Sequence, residues 1–325
     1  MTLIGGRDLD ELRAGLERWL GRPVGAIERP SAGFSCETLL VDREVVVRLP
    51  PLHEGIFPTY DLAQQAAVQN AAGAAGVPVA GVARYEPDAS YLGAPFVAMP
   101  FVTGVVPADF TPADPWIAAL PNDAARRSVW EGYLDAIVAI HRTPFADLGL
   151  RTGLEHELDA WERYVEWSTE GAAPRALTDI VTWCRDNIPA DAPPNGLLWG
   201  DVRLGNVVFD ATSGAAQAIL DWDMASVGPL EMDLAWHLAL EGVQTDLTGM
   251  AVPGFGSRDE TIAHVTAALG RPLHDLRWYE VFALLRASAI ATRIALLQTR
   301  AGQRPMFAVG HDPTLAAALR LLQRD

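Results

Sequence analysis

The chain has 325 residues, half of them hydrophobic and a fifth charged, enough to bury one large or two medium cores in a soluble globular protein. Its formal net charge of −16 argues against nucleic acid, which is bound by neutralising phosphates with basic residues; solubility explains it more simply than attraction of a cationic substrate. All 25 basic side chains are arginine, which excludes Schiff-base chemistry on a lysine amine.

Along the chain, MTLIGGRDLDELRAGL at the start lacks the basic-then-apolar order of a signal peptide. Asp8 is placed to cap a helix with Leu9, Leu12, Leu16, Trp19 and Leu20 on one stripe. A β-type run then leads through PSAGFS at 30–35 to strands at 38–41 and 45–49. An alanine-rich helix is predicted over 61–75, ending near Gly76. Strands at 77–79 and 95–99 lead into PFVTG at 100–104, and Pro107, Pro112 and Pro115 mark a loop. A long helix opens at Asn122 or Asp123 and ends near His141, read as a structural residue. Further helices are predicted near 155–168, 175–187, 258–268, 275–300 and 313–323. Arg286 and Arg293 interrupt the apolar 281–298 stretch, and no run reaches the roughly 18 apolar residues of a membrane span. Cys36 and Cys184 form neither a zinc pattern nor a disulfide framework, as expected of a cytoplasmic protein.

The chemistry concentrates at 197–221, LLWGDVRLGNVVFDATSGAAQAILD. Two short apolar runs flank Thr212, Ser213 and Gly214 and read as a hairpin, which folds Asp221 back beside Asn206. Their side-chain oxygens suit magnesium, which takes one or two protein ligands plus phosphate. Asp201 stands in a Gly-flanked loop just before the hairpin, free to face a substrate hydroxyl.

This segment resembles the catalytic loop and metal strand of the kinase-like phosphotransferases, the superfamily of aminoglycoside phosphotransferases, choline kinases and protein kinases. There an Asp, an Asn five positions on and an Asp before an aromatic act as base and two metal ligands; Asp201, Asn206 and Asp221-Trp222 stand in that order. The tail ASVGPLEMDLAW at 225–236 is similar to the small-molecule branch. Trp199 occupies the place of a loop-shaping His, and Asp233 reads as a helix N-cap.

The resemblance implies an α+β, bilobal protein-kinase-like fold, with a nucleotide-binding lobe at 1–102 and a helical lobe at 103–325 carrying the catalytic loop and acceptor site. It implies an ATP-dependent (or GTP-dependent) small-molecule kinase with Mg2+, acting on a hydroxyl acceptor. Asp201 would be the base, Arg203 would offer charge to the migrating phosphoryl group, and Asn206 and Asp221 would hold the metal. Ser35 would approach the phosphates from the nucleotide lid. Arg48 would stand where the family has its phosphate-binding lysine, which preserves the charge on a bulkier group. Gln65 falls where the family has the glutamate that pairs with that lysine. Met99 would be gatekeeper, with the Pro100 carbonyl and Val102 amide taking adenine. Two other classes stay open: a nucleotide-binding module without turnover, because Trp199, Arg48 and Gln65 replace usual residues, and a metal-dependent hydrolase using Asp201, Asp221 and Asp223.

Overall fold

The computed structural model describes residues 3–4, 6–30 and 35–323. The turn residues 31–34, expected to form part of a nucleotide lid, lie outside the described residues. A short pair, β1 (Leu3–Ile4) and β2 (Arg7–Asp8), precedes α1 (Leu9–Leu20). The Asp8 carboxylate accepts the amides of Asp10 and Glu11, and Gly21 at φ 67 closes the helix in a conformation that glycine adopts without strain.

Five strands make one antiparallel sheet in the order β3-β4-β5-β7-β6, from Ile27–Glu28, Glu37–Val41, Val45–Leu49, Phe96–Pro100 and Arg84–Glu86 respectively. The β-branched run of β5 suits a pleated central strand. Alternate side chains of a strand face opposite sides, and this decides where Arg48 goes. Val47 and Leu49 join Leu39, Val41, Phe96 and Ala98 in a core closed by Leu12 and Leu16 of α1. Val46 and Arg48 therefore share the other face, opposite Met99 and Val97 of β7. That face meets α2 (Leu62–Ala74), capped by Asp61, through Leu62 and Ala66.

The rest is mainly helical: α3 (Pro115–Ala119), α4 (Asp123–His141), α5 (Leu154–Ser168), α6 (Arg175–Asp186), α7 (Glu231–Thr248), α8 (Arg258–Leu269), α9 (Arg277–Arg300) and α10 (Pro313–Leu322). Helix α9 runs through the core with Arg286 and Arg293 each 3% exposed. No helix among the described residues is long and apolar enough to cross a membrane. Two short ladders interrupt the helices. β8 (Asn195–Leu198) pairs with β11 (Ser226–Pro229), and β9 (Val207–Phe209) folds back on β10 (Ala216–Ile219) as a hairpin. Asp210 makes its turn by accepting the amides of Thr212 and Ser213. The hairpin is tied to the segments flanking the sheet: Val105 and Phe209 exchange backbone bonds of 2.8 Å, and the Ile219 amide donates to the Pro78 carbonyl at 2.8 Å. The strand predicted at 77–79 is reduced to the single bridge Val79–Ile219, because one side of this segment faces the hairpin end rather than a full neighbour.

Candidate active site

The 199–206 loop leaves β8 and is held from behind by α7. Asp233 accepts the amides of Trp199 at 2.8 Å and Gly200 at 2.9 Å. It is therefore not the N-cap its sequence position suggested; that place is Leu230, without a side-chain cap, and Asp233 lies in the first turn of α7. Burial pushes its carboxyl up to about 6, although both amides oppose the shift. Gly200 sits at φ +89 with Met224 so close that an added Cβ would lie 2.2 Å from the Met224 carbonyl oxygen. Trp199 is fully buried, and its indole N–H donates to the carbonyls of Leu220 (2.8 Å) and Asp221 (3.1 Å). The residue in the histidine's place thus links the loop to the strand end carrying Asp221.

Within the loop, Asp201 Oδ2 accepts from Arg203 Nε at 2.9 Å and Asn206 Nδ2 at 2.8 Å. Arg203 also pairs with Asp109, an acid in the 107–115 loop that no motif singles out. The Leu220 amide donates to the Asn206 carbonyl at 2.8 Å, which sets Asp221 next to Asn206 as the hairpin reading expected. Asp221 has φ 59, a left-handed conformation uncommon for a residue other than glycine.

Arg48 closes the site from the sheet. Its Nη2 lies 3.2 Å from Asp221 Oδ1, 3.2 Å from Asp223 Oδ2 and 3.4 Å from Ser35 Oγ. Gln65, which falls where the family has the pairing glutamate, does not bond this guanidinium: its half-buried side chain makes no hydrogen bond among the described residues. Charge explains the choice. A unit pair about 4 Å apart is worth about 4 kcal/mol at an effective dielectric near 20, and two carboxylates compete here. A neutral amide on a guanidinium nets about 1.5–3 kcal/mol. Burial opposes ionisation of both acids, and Asp223, with its side chain 4% exposed and Oδ1 unpartnered, is the one pushed up. Burial also works against Asp221, but Arg48 and then Arg203 outweigh it and hold that carboxyl below the usual range.

Asn206 and Asp221 fit a magnesium ion. Asn206 Nδ2 is engaged by Asp201, which leaves its Oδ1 without a donor among the described residues. One Asp221 oxygen faces Arg48, and the other accepts no N–H among the described residues. Among the described residues no three of His, Cys, Asp and Glu assemble a complete cage, and magnesium bound with phosphates does not need one.

An apolar cluster adjoins these groups through Cys36. Cys36, Val46, Met99 and Val102 from the sheet side pack with Val208, Ala218 and Leu220 of the hairpin. Burial pushes the Cys36 thiol up to about 12, so it behaves as a small apolar group. The Phe101 amide is used by the Glu44 carbonyl, whereas the Val102 amide donates to no backbone carbonyl among the described residues. Asp201, Asn206, Asp221, Arg48 and Ser35 are thus linked to one another, next to the cluster that contains Met99 and Val102, and Gln65 stands apart.

A family model described as the phosphotransferase enzyme family matches residues 26–282. The protein named probable acyl-CoA dehydrogenase IBR3 of Arabidopsis thaliana is 28% identical over 233 residues, covering 64% of this chain but 27% of that protein. Among solved structures, a Ralstonia eutropha protein of aminoglycoside phosphotransferase type superposes with a TM-score of 0.67 at 22% identity, over 94% of both chains. The GDP and kanamycin complex of an aminoglycoside 2″-phosphotransferase gives a TM-score of 0.57 at 15% identity, over 97% of this chain and 98% of that one. At these identities the structural likeness establishes the shared kinase-like phosphotransferase fold.

Proposed function

The chain belongs to the phosphotransferase enzyme family, and from that premise we propose that it transfers the γ-phosphoryl group of ATP or GTP to a hydroxyl of a small molecule. The observation that supports this reading is the convergence of Asp201, Asn206 and Asp221 beside an apolar cluster holding Met99 and Val102, whose amide donates to no backbone carbonyl among the described residues. Asp201 orients and deprotonates the acceptor hydroxyl. Asn206 and Asp221 hold magnesium, which when bound neutralises charge on the phosphates. The Pro100 carbonyl and Val102 amide take the base, with Met99 as gatekeeper and Ser35 near the phosphates, in a cleft between segments 1–102 and 103–325. Arg48 exchanges its carboxylates for phosphate oxygens when the nucleotide enters. Arg203, held by Asp201 and Asp109, offers positive charge where the phosphoryl group passes.

Kanamycin in the structural neighbour offers one alcohol to assay. Because the chain spans about a quarter of the Arabidopsis relative, the dehydrogenase in that name carries no weight for this chain. The test is nucleoside diphosphate release with ATP–Mg or GTP–Mg against a panel of hydroxyl compounds, in wild type and Asp201→Ala. The substitution should slow the chemical step by at least ~10²-fold, the lower range for loss of a general base; an unchanged rate removes Asp201 from this role. A second reading, nucleotide binding without turnover, is favoured by the hold of Arg48 on both Asp221 and Asp223. It predicts a nucleotide-dependent rise in melting temperature with no diphosphate release.

A further inference from the structure

Each carboxylate oxygen has two lone-pair sites, and the two oxygens of Asp201 are unequally occupied. Oδ2 receives two donors, Arg203 Nε at 2.9 Å and Asn206 Nδ2 at 2.8 Å. Oδ1 receives one, the indole Nε1–H of Trp236 at 3.2 Å. We infer that Oδ1 is the atom that takes the acceptor proton, and that Trp236, which closes the 225–236 motif without a role assigned to it, is the positioning residue that aims it. This rests on the phosphotransfer reading above and adds to it the reacting atom and the group that aims it.

Trp236 can aim a carboxylate because it is itself held. It is 4% exposed on α7, three positions after the Asp233 that anchors the loop amides. The Arg286 guanidinium from α9 lies 4.8 Å from the Trp236 ring centroid and 5.0 Å from that of Trp161, with Phe282 at 5.7 Å. A guanidinium can stack on aromatic faces while its N–H groups bond in plane, and Arg286 Nη2 donates to the Gly200 carbonyl at 3.0 Å. One buried cation therefore fixes the peptide just before Asp201 and the ring that meets its side chain. Rotation of the carboxylate about its last torsion, otherwise broad, is stopped at both oxygens.

The remaining lone pair of Oδ1 faces the acceptor. In the transfer, the acceptor O–H bond breaks and its proton passes to Oδ1 while the acceptor oxygen bonds the γ-phosphorus. The bond from that phosphorus to the bridging oxygen breaks, and its electron pair leaves with the nucleoside diphosphate. With Oδ2 filled from the loop side, the acceptor meets Asp201 at Oδ1.

The experiment is single-turnover formation of diphosphate from ATP–Mg or GTP–Mg, with the panel of hydroxyl compounds above, kanamycin among them, and with water as acceptors. It compares wild type, Trp236→Phe, and protein with benzothienylalanine at position 236, where sulfur replaces the indole N–H at nearly constant shape. Phenylalanine keeps a ring beside Arg286, and the sulfur analogue guards against a folding loss. Both should slow transfer about tenfold, the scale of one hydrogen bond to a charged acceptor, with the KM for nucleotide within about twofold of wild type. Wild-type rates in both variants overturn the assignment. So does a raised nucleotide KM with an unchanged rate, which a packing role alone would give. A wild type that turns over neither nucleotide removes the phosphotransfer reading and the role of Trp236 with it.

Discussion

Asp201 finds two of its partners two and five residues along the chain, in Arg203 and Asn206, whereas Arg48 reaches 173 and 175 residues forward to Asp221 and Asp223. The first cluster is local: a short loop between two ladders, braced by the helix that follows. The second exists only because the β9–β10 hairpin is tied to the segments beside the sheet through Val105 and Pro78. Motif spacing can specify the first kind of site, because few backbone angles lie between its members. Only tertiary packing specifies the second, so substitutions at Arg48 report on how the sheet meets the hairpin.

The comparison breaks most sharply at Arg48. Arg48→Ala should weaken nucleotide binding about 10–100-fold, the range of a charge-assisted hydrogen bond to phosphate, while Arg48→Lys, which keeps the charge but loses the planar fork, should cost only a few-fold. Titration calorimetry checks both; equal affinity in Arg48→Ala means that the guanidinium braces the two acids and does not anchor phosphate.

A smaller effect sharpens the local side. His237, on α7 one position after Trp236, is 7% exposed, and burial pulls it down to about 4 from an ordinary value of 6.5. For a base whose folded value is depressed, the unfolded chain binds more protons between those two values. Stability is then fully present above pH 6.5 and falls as pH drops toward 4, by up to about 3 kcal/mol for this group. His237→Gln should flatten part of that fall in denaturant titrations run from pH 7 to 4. His141, also pulled down to about 4 by burial, leaves a residual slope. A His237→Gln profile that runs parallel to wild type over this window would contradict the burial of a neutral His237, since the raised carboxyls of Asp223, Asp233 and Glu241 act with the opposite sign in both proteins.

Much of this was legible in sequence for identifiable reasons. The run VVVRL forms the strand expected at 45–49 with Arg48 near its end, and Asp8 caps the helix it precedes. The apolar runs around Thr212–Gly214 folded into the hairpin that brings Asp221 to Asn206. Asp233 was misread because α7 begins earlier, at Glu231, which turns its carboxylate from its own helix toward the loop amides. Gln65 was placed by helical register, but register does not reveal how a helix rotates against a sheet, and two distant acids outcompeted it for Arg48. Trp236 and Arg286 read as interior residues of apolar helices. Their meeting at Asp201 depends on the packing of α7 against α9, which leaves no local signature.

The claim on which the chemistry depends is that a divalent ion is shared by Asn206 and Asp221. It is tested most directly by calorimetric ATP affinity, measured with magnesium and again with magnesium chelated, in wild type and Asp221→Asn. Magnesium should tighten ATP binding to wild type, and Asp221→Asn should lose most of that gain while still binding the metal-free nucleotide. An equal magnesium gain in both proteins would contradict the account.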